Sequence, residues 1–116
     1  MPKIIIIEDD KDILDVMTYI LTEEGYEVVG APDSAPLLQL DQIQPFLVLM
    51  DNRLVEGTGT ELCYKLKTNL ATAHFPIAII SAHNNLEEIA KESMADAFLK
   101  KPFDIDELLS LVKRFG

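Results

Sequence analysis

Five short apolar runs alternate with stretches whose apolar residues recur at helical spacing, and this alternation limits the fold more than any other feature. The runs are Ile4–Ile7, Val28–Val29, Phe46–Met50, Ile77–Ile80 and Ala97–Leu99. The longer ones are unbroken by polar residues, as in strands covered on both faces. The segments between them read as helices. Ile13, Met17, Ile20 and Leu21 form one stripe, which Gly25 closes as a C-terminal cap. The stretch "PDSAPLLQLDQIQP" opens a second helix, capped by Asp33 or Ser34, with Pro36 early where its missing N–H does no harm. Leu62, Leu66 and Leu70 mark a third. Asn84 or Asn85 caps a short fourth, whose first turn holds Glu87 and Glu88 and so suits the helix dipole. Asp104 and Glu107 form a D-x-x-E capping pattern before a stripe of Ile105, Leu108, Leu109, Val112 and Phe115. Strict alternation of five strands and five helices predicts a parallel sheet with helices on both faces, because parallel neighbours need crossover connections.

A chain of 116 residues with 48% hydrophobic content is enough for one packed core, so it reads as one domain over residues 1–116 with no output domain. Twenty acidic against ten basic residues give a net charge of -10, which argues against direct binding to nucleic acid or to an anionic membrane. No apolar run approaches the roughly 18 residues that a membrane span requires. The N-terminus is too short in apolar residues and too acidic for a signal peptide. Cys63 is the only cysteine, so no internal disulfide is possible. The expected location is cytoplasmic.

Two of the apolar runs end directly on acids. Ile4–Ile7 leads into Glu8, Asp9 and Asp10, and Phe46–Met50 leads into Asp51. In an open parallel sheet, ligands bind beyond the carboxyl ends of the strands. Glu8, Asp9 and Asp51 are therefore expected to share one small volume. At about 4 Å and an effective dielectric near 20, each pair of charges costs about 4 kcal/mol. A divalent cation removes that cost, and hard oxygen ligands favour magnesium or calcium over zinc. The other strand ends add to the set. Ser81 supplies a hydroxyl, and Lys100, Lys101 and Pro102 follow the last strand. A metal pocket, a carboxylate nucleophile and two groups for phosphoryl oxygens suit phosphoryl transfer through an acyl phosphate.

With these residues in place, the sequence resembles the receiver domain of two-component response regulators. The resemblance rests on "IIIIEDD", "LVLMDNRLVEGTG", "IAIISAH" and "DAFLKKPF", and covers essentially the whole chain. It implies a flavodoxin-like doubly wound fold of strand order 2-1-3-4-5. It implies Asp51 as phosphoacceptor, Asp9 as a direct Mg²⁺ ligand and Glu8 as a ligand through water. The Arg53 backbone carbonyl would be a further ligand. Ser81 and Lys101 would serve the phosphoryl group, and Ser81 and Phe98 would form the switch. Arg53 and His83 would tune the phosphorylated lifetime. A cis bond before Pro102 is implied as well. The implied partners are a histidine kinase or histidine phosphotransfer protein, and a downstream protein at the face of helix 4, strand 5 and helix 5. The chain would be no enzyme but a stand-alone signalling phosphoacceptor that catalyses its own phosphorylation and dephosphorylation, and a monomer or weak dimer. It departs from the family pattern in three places. Val55 stands where proline is usual, Met94 stands where glycine is usual, and the stretch from Ser81 to Lys101 is slightly short, so the fourth helix is expected to be short or irregular.

Other readings fit less well. A haloacid-dehalogenase-type phosphatase needs an aspartate where Arg53 stands, and a Toprim nuclease core needs a D-x-D pair that "DNR" lacks. The "GTGT" stretch has no phosphate-loop lysine. His74 and His83 are too few for a zinc site, and Cys63 suits packing on the third helix. The remaining alternative is a pseudo-receiver that binds a partner without phosphorylation.

Overall fold

The computed structural model describes residues 2–54, 57–82 and 84–116. The order is β1 (Lys3–Ile7), α1 (Lys11–Glu23), β2 (Glu27–Ala31), a 3-10 helix (Ala35–Gln39) running into α2 (Leu40–Ile43), β3 (Leu47–Asp51), α3 (Gly59–Lys67), β4 (Ile77–Ser81), α4 (Leu86–Ser93), β5 (Ala97–Lys100) and α5 (Ile105–Lys113). An unnumbered antiparallel ribbon pairs Arg53–Leu54 with Gly57–Thr58. The five long strands make one parallel sheet of order β2-β1-β3-β4-β5. This is the flavodoxin-like, doubly wound arrangement.

The sheet divides two apolar layers. Ile4, Ile6, Leu47, Leu49, Ala78 and Ile80 face one way, against Met17 and Leu21 of α1 and Leu108, Leu111 and Val112 of α5. Ile5, Ile7, Val48, Met50, Ile77 and Ile79 face the other, against Leu40 of α2, Cys63 of α3 and Ile89 of α4. Burial on both faces explains why these strands carry no polar residue at alternate positions.

Several local expectations need correction. The segment after Pro36 is not one α-helix: it starts as a 3-10 helix, and only Leu40–Ile43 is α-helical. The Asp33 carboxylate accepts from the Ala35 N–H, which turns the chain locally at the start of this segment. The third helix stops at Lys67, which leaves Leu70 at 97% exposure and outside any stripe. Asn69 diverts the chain there, its side-chain oxygen accepting from the Ala71 N–H in a local turn. At the start of α4, Asn85 holds the cap position without a side-chain capping bond, and Asn84 is engaged elsewhere. The fourth helix is short, as expected, at eight residues. The D-x-x-E pattern before α5 is a complete capping box, and Gly25 follows α1 at φ 95°.

One glycine governs the approach of α3 to the sheet. A Cβ added at Gly59 would lie 2.6 Å from the Asp51 carbonyl oxygen and 3.1 Å from the Asn52 Cα. Neither backbone atom can move aside without displacing the end of β3. Gly59→Ala is therefore expected to cost about 1–3 kcal/mol in urea unfolding. A variant as stable as the wild type would show that α3 is free to shift.

Candidate functional site

β1 and β3 are hydrogen-bonded neighbours, with Ile7 opposite Met50. The residues that follow, Glu8 and Asp51, therefore come out side by side at the same edge. Glu8, Asp9 and Asp51 each offer a carboxylate oxygen, and these oxygens lie within 4.8 Å of one another. Glu8 is 2% exposed and Asp51 7%, while Asp9 reaches solvent. Asp10, next in the acidic run, does different work. Its Oδ1 accepts from the Asp12 and Ile13 N–H groups, so it caps α1 and stays out of the cluster.

Lys101 meets these acids from beyond β5. Its ammonium donates to Glu8 Oε1 at 2.7 Å and lies 3.4 Å from Asp51 Oδ1. The peptide bond that follows, between Lys101 and Pro102, is cis. Burial pushes the Glu8 carboxyl up to about 7, the Lys101 hydrogen bond opposes this, and the nearby Asp51 charge adds to it. Burial pulls Lys101 down, but the bond to Glu8 and the Asp51 charge outweigh it and leave the ammonium above the ordinary lysine value. The two acids are thus held together by one shared cation.

A cleft of about 770 Å³ opens over this group, lined by the three acids, Arg53, Ser81 and Lys101 among others. Ser81 is 1% exposed and ends β4. Arg53 is exposed and pairs with Thr58 across the short ribbon. Phe98 is half-buried on β5 and packs on the layer of α2, α3 and α4, one residue back from Leu99 on the opposite layer. His83 lies outside the described residues. The structure thus brings together Glu8, Asp9, Asp51, Arg53, Ser81 and Lys101, and sets Phe98 on the sheet face behind them.

Asn52 escaped the reading of the sequence. Its Oδ1 accepts from the Thr60 N–H at 2.9 Å and the Thr60 hydroxyl at 2.6 Å, and its carbonyl accepts from the Gly59 N–H at 2.8 Å. These bonds tie the residue after Asp51 to the start of α3 and fix the Asp51 backbone. Only the proximity of "DN" to "GT" hinted at this, and spacing alone could not select it.

All three ligand groups of the acidic cluster are hard oxygen donors, with no thiolate or imidazole among them. That donor set fits a hard divalent cation such as Mg²⁺. Among the described residues, this is the one group of three potential metal ligands. His74 is exposed and stacks on Phe75 at 4.1 Å. Cys63 is buried, and burial pushes its thiol up to about 12, so it is a packing residue. None of the described helices is long and apolar enough to cross a membrane.

Comparison with known proteins gives a consistent result. The profile of the response regulator receiver domain matches residues 4–113. The DNA-binding dual master transcriptional regulator RpaA of Synechocystis is 34% identical over 116 residues, covering 97% of this chain and 48% of that protein. The chain spans about half the length of the first curated relatives it matches. Among solved structures, a CheY-like response regulator receiver domain protein from Methanospirillum hungatei superposes with a TM-score of 0.86 at 28% identity, covering 98% of this chain and 92% of that one. The chemotaxis protein CheY4 of Vibrio cholerae gives 0.88 at 23% identity, over 100% and 99% of the two chains, a likeness of fold.

Proposed function

The chain belongs to the response regulator receiver domain family of two-component signal transduction, and from that premise we propose that it takes up a phosphoryl group on Asp51. The donor is the phosphohistidine of a histidine kinase or histidine phosphotransfer protein. The observation that carries this reading is the buried Asp51 carboxylate, held at the carboxyl edge of the sheet with Glu8, Asp9, Ser81 and Lys101 around a single cleft.

An Asp51 oxygen attacks phosphorus as the N–P bond to the donor imidazole breaks, and the electron pair of that bond leaves with the imidazole. A small donor such as acetyl phosphate gives up acetate instead. Asp9, Asp51, the Arg53 carbonyl and, through water, Glu8 would hold Mg²⁺, which when bound would supply positive charge beside the transferring group. Lys101 lies within reach of Asp51 and pairs with one phosphoryl oxygen. Ser81 donates its hydroxyl to another. Both contacts are strongest where charge builds up, so they favour transfer and then hold the product.

The switch follows from packing. As Ser81 moves toward the phosphoryl group, Phe98 turns into the space that it leaves, and β5 changes the surface it shares with α4 and α5. That surface meets the downstream protein. Phe98→Ala is expected to take up phosphoryl groups normally, yet to lose most of the phosphorylation-dependent amide shifts along β5 and α5. Full wild-type shifts in that variant would remove Phe98 from the switch.

Arg53, exposed at the rim of the cleft, lies across the phosphoryl oxygens and blocks in-line attack by water. Loss of such a charge-assisted contact is expected to speed dephosphorylation by roughly tenfold in Arg53→Ala. The measurement is a decay course in excess Mg²⁺ after donor removal, and decay at the wild-type rate would mean that water enters by another route. The reading as a whole is tested by intact-mass measurement of the wild-type protein with acetyl phosphate and Mg²⁺. One phosphoryl adduct, abolished by chelator, is expected. Absence of an adduct would leave a module that binds its partner without phosphorylation.

A further inference from the structure

The two ends of α4 are held by unequal means. At its C-terminal end, the Asp96 N–H donates to the Ile77 carbonyl at 2.8 Å, and Asp96 Oδ2 accepts from the Ile77 N–H at 2.8 Å. The Lys67 ammonium donates to the same Oδ2 at 2.9 Å and to the Ala73 and Phe75 carbonyls. The Ser93 hydroxyl, fully buried, accepts from the Ala95 N–H at 3.1 Å. These bonds bind the turn after α4 to α3 and to the start of β4. The N-terminal end has nothing comparable among the described residues. Asn85 makes no side-chain capping bond, and among the described residues of the segment leading into α4, Asn84 Oδ1 accepts from the Lys100 ammonium at 3.0 Å.

The strand order gives that contact a direction. β4 lies between β3 and β5, with Ile80 opposite Asp51 on one side and Ser81 opposite Lys100 on the other. Lys100 therefore holds Asn84 from β5, the strand on the far side of β4 from Asp51. Lys101, the next residue, donates to Glu8 in the acidic cluster, so the adjacent lysines serve different partners.

We propose that Lys100 is a positioning residue that, through Asn84, tethers the segment after β4 in its unphosphorylated place and so sets how readily Ser81 closes on the phosphoryl group. The inference rests on Asp51 being the phosphoacceptor. With the C-terminal end of α4 fixed, release of the tether lets the N-terminal end of the helix swing. The tether is an exposed hydrogen bond with one charged partner, and its loss is expected to favour closure by about two- to fivefold.

The test uses the full chain with acetyl phosphate and Mg²⁺, following adduct accumulation by intact mass. Lys100→Met keeps the side-chain stem and removes the ammonium, and Asn84→Ala removes the acceptor. Each is expected to speed uptake by about two- to fivefold with no change in melting temperature, and the double variant should do no more than either single change. Lys100→Arg, which keeps a donor, should restore the wild-type rate. In the unphosphorylated single variants, the amide signals of Ala82 and Asn85 should move toward their positions in the phosphorylated wild type. Unchanged or slower uptake, or single effects that multiply, would overturn the tether while the wild-type adduct stands. If the wild type forms no adduct, the phosphoacceptor reading and the tether fall together.

Discussion

Asp51→Ala is expected to form no phosphoryl adduct at any concentration of acetyl phosphate, while the wild type gains one. On the proposed reading the effect is all-or-none, because the atom removed is the one that would bond phosphorus. Asp51 is the buried carboxylate within reach of Lys101 at the end of β3, and Glu8 is already engaged with the same ammonium at 2.7 Å. Asp51→Asn keeps the shape and removes the charge, so it is expected to fold normally and to fail equally. That pair of variants separates loss of the nucleophile from loss of the fold. An adduct of undiminished amount in either one would move the acceptor elsewhere.

Lys101→Met should have the largest effect on stability. Its ammonium is the cation shared by two buried carboxylates, and its side chain is itself only 19% exposed. Removing one partner of a buried ion pair leaves the others uncompensated. With chelator present, the expected loss is about 2–4 kcal/mol, scaled down from the fully buried case because the cleft admits water. That corresponds to a drop in melting temperature of roughly 10 °C or more in a domain of this size. Added Mg²⁺ should recover much of the loss by mass action, and should stabilise the variant more than the wild type. Equal losses with and without Mg²⁺ would show that the lysine and the metal serve separate charges.

Much of the fold was legible because the sheet is buried on both faces. Ile4–Ile7 and Ile77–Ile80 have no polar residue to disguise them, and each is followed by a change to helical spacing. The site was legible for a related reason: Glu8 and Asp51 interrupt apolar runs where a turn residue would be ordinary, and adjacency of their strands puts them together. What sequence could not give were the features decided by competition between local bonds. The apolar spacing of α3 continues to Leu70, but the helix stops at Lys67 and the Asn69 side chain turns the chain away. Asn84 and Asn85 both looked like caps, and Asn84 bonds instead to a lysine sixteen positions away. The separation of Asp10 from Glu8 and Asp9 also turns on geometry, since a carboxylate that caps a helix and one that faces a cleft look alike in sequence.

The sheet that divides the two apolar layers also divides the molecule's freedom to vary. Phe98, Ile79 and Cys63 share one layer with α4, while Leu99, Ile80 and Leu108 share the other with α1 and α5. Side chains in different layers have no common cavity, so changes of volume on one side are close to additive with changes on the other. Neighbours in sequence such as Ile79 and Ile80 thus pack in different clusters, whereas Ile79 and Cys63, sixteen positions apart, belong to the same one. Substitutions beneath α4 can therefore remodel one layer and leave the packing beneath α1 as it was.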